Sequence, residues 1–186
     1  MTETTTQSGT TTGSGTTTPA LSGERADLLE SLAKHRFFLR FTARDLTDEQ
    51  AASRPTVSQL SVGGLIKHVA ITEKAWSDFI LGRPGGPTSE AEGSYAEHAR
   101  SFEMLPGETL ATLLERYEQV ARETDRIVTT LPDLDESHPL PEAPWFEPGA
   151  RWSARRVLLH IIAETSQHAG HADIVREAID GAKSMG

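Results

Sequence analysis

Apolar residues recur with helical spacing in four separate stretches of the chain, and none alternates apolar with polar positions as a half-buried strand would. In the first stretch Leu28, Leu32, Leu39 and Leu46 share a stripe with His35 and Thr42, which predicts a helix from Gly23 to Leu46 with Ser22 as its N-cap. Arg54-Pro55 breaks that pattern. Ser61 can then cap a second helix whose one face carries Val62, Leu65, Val69, Trp76 and Ile80, ended by Gly82 and Pro84-Gly85-Gly86-Pro87. The polar stretch from Thr88 to Pro106 leaves room for a short helix around Tyr95 to Phe102. Leu110, Leu113, Leu114, Tyr117, Val120, Ile127 and Leu131 predict a third helix, which Pro132 stops. Five prolines between Pro132 and Arg151 read as an irregular crossover, in which Trp145-Phe146 either plugs the open end of the fold or lines a pocket. Ser153 caps a last helix from Ala154 to Ile179, and Gly181 ends it.

Four amphipathic helices, long connections and no strand signal predict an all-α fold: a four-helix bundle with long crossover connections. The bundle is expected over residues 21–186 as one domain, since 186 residues are too few for two of ordinary size. Composition changes this picture only at the N-terminus. Ten of the first nineteen residues are Thr and five more are Gly or Ser, so residues 1–20 are expected to form a disordered tail.

With 27 acidic against 18 basic residues the net charge is −9, which opposes phosphate-backbone binding and excludes a nucleic-acid partner from the expectations. Cysteine is absent, so any metal must be held by His, Asp or Glu, and no thiol nucleophile comes from the chain itself. No apolar run has the length of a membrane span or follows a signal-peptide pattern, and a soluble cytoplasmic protein is expected.

The last helix carries the chemistry. At 100° per residue His160, Glu164, His168 and His171 occupy an arc of about 80°, with Glu164 and His168 nearest the centre of the apolar face. A carboxylate and an imidazole buried together are costly unless compensated, and a divalent cation supplies that compensation. Facing helices of a bundle build metal sites from such inward side chains, and three protein ligands leave coordination positions open for chemistry. His68, the sole histidine of the second helix, is the best third ligand, with His35 in reserve. The alternative is a pair of hydrogen-bonded core residues with no ion. Glu73 lies about 140° from His68 on the wheel and points elsewhere, toward a salt bridge or a supporting role. Trp76 and Tyr117 read as core aromatics and His98 and His138 as exposed loop histidines, while Arg151, Arg155 and Arg156 read as surface charges or bundle-end partners.

The segment Leu60-Ser61-Val62-Gly63-Gly64-Leu65-Ile66-Lys67-His68-Val69-Ala70, followed by Glu73 and Trp76, resembles the second helix of the DinB superfamily, in its mini-circle-protein branch. Pro144-Trp145-Phe146, Trp152-Ser153, the run from Glu164 to Asp173, Arg176-Glu177 and Asp180-Gly181 are similar to that branch's last helix and the approach to it. The likeness extends from Gly23 to Gly181. It implies one divalent metal, with Zn, Ni or Fe as the leading choices, at positions matching His68, Glu164 and His168. His171 and His160 are then supporting residues or alternative ligands. The carboxylate at Glu164 makes the chain similar to the metal-binding domain of mycothiol-dependent maleylpyruvate isomerase. That enzyme's own reaction is not expected, because a further C-terminal domain contributes to it and this chain ends close to its last helix. The resemblance implies a thiol-dependent transferase or isomerase that uses mycothiol or a similar thiol on a small electrophile, with a homodimer as the usual assembly. A hydrolase of the same fold and a non-enzymatic, stress-associated metal-binding protein are the competing expectations.

Overall fold

The structure, a computed structural model, describes residues 21, 23–84, 86 and 98–184. The tail expected over residues 1–20 and the cap at Ser22 lie outside the described residues, as do residues 95–97 of the short helix expected before Phe102. Its described part, residues 98–101, is helical.

Four long helices make up the fold: α1 (Gly23–Thr42), α3 (Val62–Ile80), α4 (Leu110–Thr130) and α5 (Ala154–Asp180), with a short α2 (Asp48–Ala52) after α1. Their starts are set by the caps that the sequence offers. Ser61 accepts a hydrogen bond from the Gly64 amide at 3.2 Å, Thr109 from Thr112 and Ser153 from Arg156. Gly181, at φ 78°, ends α5 in the left-handed conformation that glycine adopts freely.

Two expectations need correction. Helix α1 stops at Thr42 and not at Leu46, because Thr42 bonds back to the Phe38 and Leu39 carbonyls and the Arg176 guanidinium takes the carbonyls of Thr42 (2.7 Å) and Arg44 (2.6 Å). Arg176 thereby acts as a C-terminal cap supplied by another helix. The last crossover also contains two strands that the sequence does not reveal, β1 (Ser137–Pro139) and β2 (Arg151–Ser153), paired antiparallel with His138 opposite Trp152. Three residues are too few for an alternating pattern to show.

Helix directions follow from the side-chain bonds. Lys67 reaches Glu108 and Ser77 reaches Thr124, so α3 and α4 run parallel. Arg155 meets Glu24 and Arg176 meets Thr42, so α1 and α5 are also parallel, while Arg36–Asp125 and Arg40–Glu118 set α1 against α4. A parallel pair cannot be joined by a tight turn. The chain after α3 must travel back along a helix of roughly 28 Å before α4 can begin, and residues 98–105 therefore return beside the first half of α3.

The interior is two apolar clusters with a polar layer between them. One gathers Leu39, Leu65, Val69, Tyr117, Ala172 and Val175, the other Leu28, Leu32, Trp76, Ile127, Val157 and Ile161. Between them lies the ion pair of Arg36 (2% exposed) with Glu73 (1% exposed), at 2.5 Å, with Asp125 on the far side of the guanidinium at 2.7 Å. Burial disfavours the charge on Arg36, but the two carboxylates outweigh it and hold the guanidinium more firmly protonated than usual. Glu73 thus takes the salt-bridge role.

Removing one partner of this pair should be far worse than removing both. Glu73→Leu alone is expected to cost about 3–5 kcal/mol in urea denaturation, and Arg36→Met combined with Glu73→Leu should recover most of that loss. Equal midpoints for the single and double variants would contradict the assignment. Close packing generates a further prediction. A methyl group on Gly64 would overlap the Phe102 carbonyl oxygen, whereas one on Gly170 would meet nothing within 4 Å. Gly64→Ala should therefore destabilise by about 1–3 kcal/mol and speed amide exchange around Phe102, while Gly170→Ala should stabilise by about 0.5–1 kcal/mol through helix propensity.

Candidate metal centre

His68 enters the core because α3 is enclosed on almost every side, and its ring is 5% exposed. Phe102 lies flat against it, with ring centroids 3.8 Å apart and planes 20° from parallel. Ser101 Oγ stands 2.8 Å from Nδ1, and the Ser101 hydroxyl is itself 2.6 Å from the His98 carbonyl. From α5 the His168 ring approaches edge-on at 4.9 Å.

Helical spacing places Glu164 one turn before His168 and one turn after His160. One carboxylate oxygen is 3.5 Å from His168 Nε2 and the other 3.8 Å from His160 Nε2. His68, Glu164 and His168 each offer a ligand atom within 4.8 Å of the other two, and they form the one such group of three or more found among the described residues. The remaining candidates lie around it. His171 Nδ1 is 3.4 Å from His168 Nδ1, on the side away from Glu164. His160 packs edge-on against Trp76 and Trp152, which stack on each other at 4.9 Å. His35 is half-buried on α1 and outside the group.

Electrostatics puts the group in a ligating state. Burial, reinforced by His168 and His98, pushes the His68 imidazole down to about 4, and burial also lowers His160. Hydrogen bonding to His168 holds the Glu164 carboxyl below its ordinary range despite partial burial. At neutral pH the cluster therefore presents an unprotonated His68 and an ionised carboxylate, the forms in which both residues bind cations. Two imidazoles and a carboxylate suit a divalent transition metal, and their mutual spacing fits one ion.

Two placements, those of His98 and His138, differ from the sequence reading, and the others agree with it or choose between its alternatives. His98, read as an ordinary loop histidine, is exposed but stands 5.4 Å from His68, ring edge to face. His138 is not an exposed loop residue: it lies in β1, half-buried, and its Nε2 donates to the Ile80 carbonyl at 3.1 Å. Arg155 joins Glu24 and Asp135 at the bundle end, and Arg156 stacks over Trp152. Trp145 is exposed while Phe146 packs into the apolar cluster around Trp76, which settles them as separate residues with separate surroundings. Thr72, whose Oγ1 is 3.4 Å from His68 Nε2, was missed although its place four residues after His68 puts it on the same helix face, while Ser101 and Phe102 had no signal in the sequence. Ser101 and Phe102 reach His68 only through the course of the crossover.

The chain matches the family described as Mycothiol-S-transferase over residues 27–181, a span that takes in all four long helices except the first residues of α1. None of the curated proteins is similar enough to match. A solved structure, the conserved protein of a locus from Enterococcus faecalis, superposes with a TM-score of 0.66 at 14% identity, over 88% of this chain and 100% of that one. At that identity the likeness speaks for the fold alone, and it agrees with the all-α bundle. The chain thus belongs to the mycothiol S-transferase family and shares its DinB-like fold.

Proposed function

We propose that the protein is a metal-dependent transferase in which a low-molecular-weight thiol, mycothiol or a close analogue, attacks a small electrophile. The observation that carries this reading is the convergence of His68, Glu164 and His168 within 4.8 Å, in a chain that has no cysteine of its own. Membership of a mycothiol transferase family supports the thiol. His68 and His168 supply imidazole nitrogens, and burial keeps a proton from competing for His68. Glu164 contributes the negative charge and lies between His168 and His160. His160 and His171 act as supports for the ligands. When bound, a divalent cation such as Zn, Ni or Fe supplies the Lewis acidity that lowers the pKa of a coordinated thiol and makes a thiolate available at neutral pH.

The same reading assigns one domain over residues 21–186, a small-molecule substrate, a cytoplasmic homodimer and no nucleic-acid partner, the last on the strength of the net charge of −9. No described helix is long and apolar enough to cross a membrane.

Elemental mass spectrometry of the untagged protein should find about one transition-metal ion per chain, and His68→Ala and Glu164→Ala should each weaken binding by on the order of 100-fold or more. The loaded protein should then consume a thiol and an electrophile together. Substrate loss with no thiol consumed would favour a hydrolase of the same fold. Absence of metal after reconstitution would make the histidines structural and leave a binding protein.

A further inference from the structure

Resting on the metal reading above, we propose that Ser101 is the positioning residue of the site: it fixes the proton of His68 on Nδ1, so that Nε2 carries the lone pair offered to the ion. A hydroxyl has one hydrogen to give. Ser101 lies 2.6 Å from the His98 carbonyl, which can only accept, so the Ser101 hydrogen is committed there. Toward His68, 2.8 Å away, Ser101 Oγ is then an acceptor, and Nδ1 must be the donor. A neutral imidazole with its proton on Nδ1 leaves Nε2 bare. On that side Thr72 Oγ1, at 3.4 Å, has a hydroxyl hydrogen to offer, which agrees with the same tautomer.

Ser101 can set the ring because it is itself held. The segment that carries it presses the Phe102 carbonyl against Gly64, where a side chain would collide. Phe102 covers one face of the His68 ring, and Lys67 ties the segment down by donating to the Glu103 carbonyl at 3.1 Å. Among the described residues, those with a hydrogen-bond, ring or charge interaction with His68 are Ser101, Phe102 and His98 from the crossover, Thr72 from its own helix, and His168 with Glu164 from α5. None of the others is within hydrogen-bond distance of Nδ1. Partners that fix the tautomer of a ligating histidine are worth roughly 10–100-fold in metal affinity.

The test uses the full chain, free of metal and loaded with zinc, as wild type, Ser101→Ala and Ser101→Thr. Long-range proton–nitrogen NMR of the metal-free protein should show His68 protonated on Nδ1 in wild type and in Ser101→Thr, and a mixture of tautomers in Ser101→Ala. Zinc affinity, read by chelator competition, should fall about 10–100-fold in Ser101→Ala and return toward wild type in Ser101→Thr, with all three melting cooperatively. A wild-type His68 protonated on Nε2 overturns the proposal, as does a Ser101→Ala protein with unchanged tautomer and unchanged zinc affinity. If wild type takes up no zinc and yet the tautomer depends on Ser101, the orienting role stands and the metal-dependent function falls.

Discussion

Helix α3 is enclosed by the rest of the bundle, and five polar side chains go into the interior with it. Each buried polar group left without a partner would cost on the order of 1–3 kcal/mol, more if charged, so the neighbours of α3 have to meet these groups one by one. Lys67 is met by Glu108 and the Glu103 carbonyl, Glu73 by Arg36, Ser77 by Thr124 and Asp78 by Lys74. His68 is met by Ser101. These partners come from α1, α4, the crossover and α3 itself, so the register of the bundle around its central helix is fixed by polar matching as well as by apolar packing. A shift of one turn would strand several of the polar groups. The Arg36–Glu73 pair does the most in this respect, because both members are charged and buried to within a few per cent.

Topology then decides what surrounds His68. Because α3 and α4 are parallel, their connection has to retrace α3, and residues 98–105 lie along the half of the helix that carries Gly64, Lys67 and His68. Three features of that half make the close approach workable: a missing side chain at Gly64, a cation at Lys67 for the Glu103 carbonyl of the returning segment, and a flat ring at His68 for Phe102 to cover. Helix α5 runs antiparallel to α3, which brings His168 to the level of His68 and His160 to the level of Trp76.

The helices and the Glu164 and His168 pair were legible in the sequence for the same reason: a helix has a fixed angular period, so residues four apart reveal a shared face without any knowledge of the fold, whereas His68 was picked out as the sole histidine of its helix and by the family resemblance. The caps Ser61 and Ser153 were legible because an N-cap is a local device. What was not legible depended on partners distant in sequence. The early stop of α1 rests on Arg176, 134 positions away from Thr42. The strands β1 and β2 exist only as a pair, and His138 looked like a loop residue because its carbonyl partner lies on Ile80. Ser101 and Phe102 sat in a polar stretch with no period to read, and only the parallel course of α3 and α4 brings them to the site.

Distances inside the cluster bear on whether it is a site or a self-satisfied core. Where His68 is anchored from outside, at Ser101, the separation of 2.8 Å is that of a good hydrogen bond. Among the candidate ligands and their neighbours the separations are longer: 3.5 Å from Glu164 to His168, 3.8 Å from Glu164 to His160 and 3.4 Å between His168 and His171. Only His68 is steadied by a short outer contact, and its ring is kept neutral by burial. Glu164 is ionised there, held below the ordinary carboxylate range by its histidine neighbours, so the cluster sets a negative charge beside an unprotonated ring, a pairing that a cation between them would stabilise further.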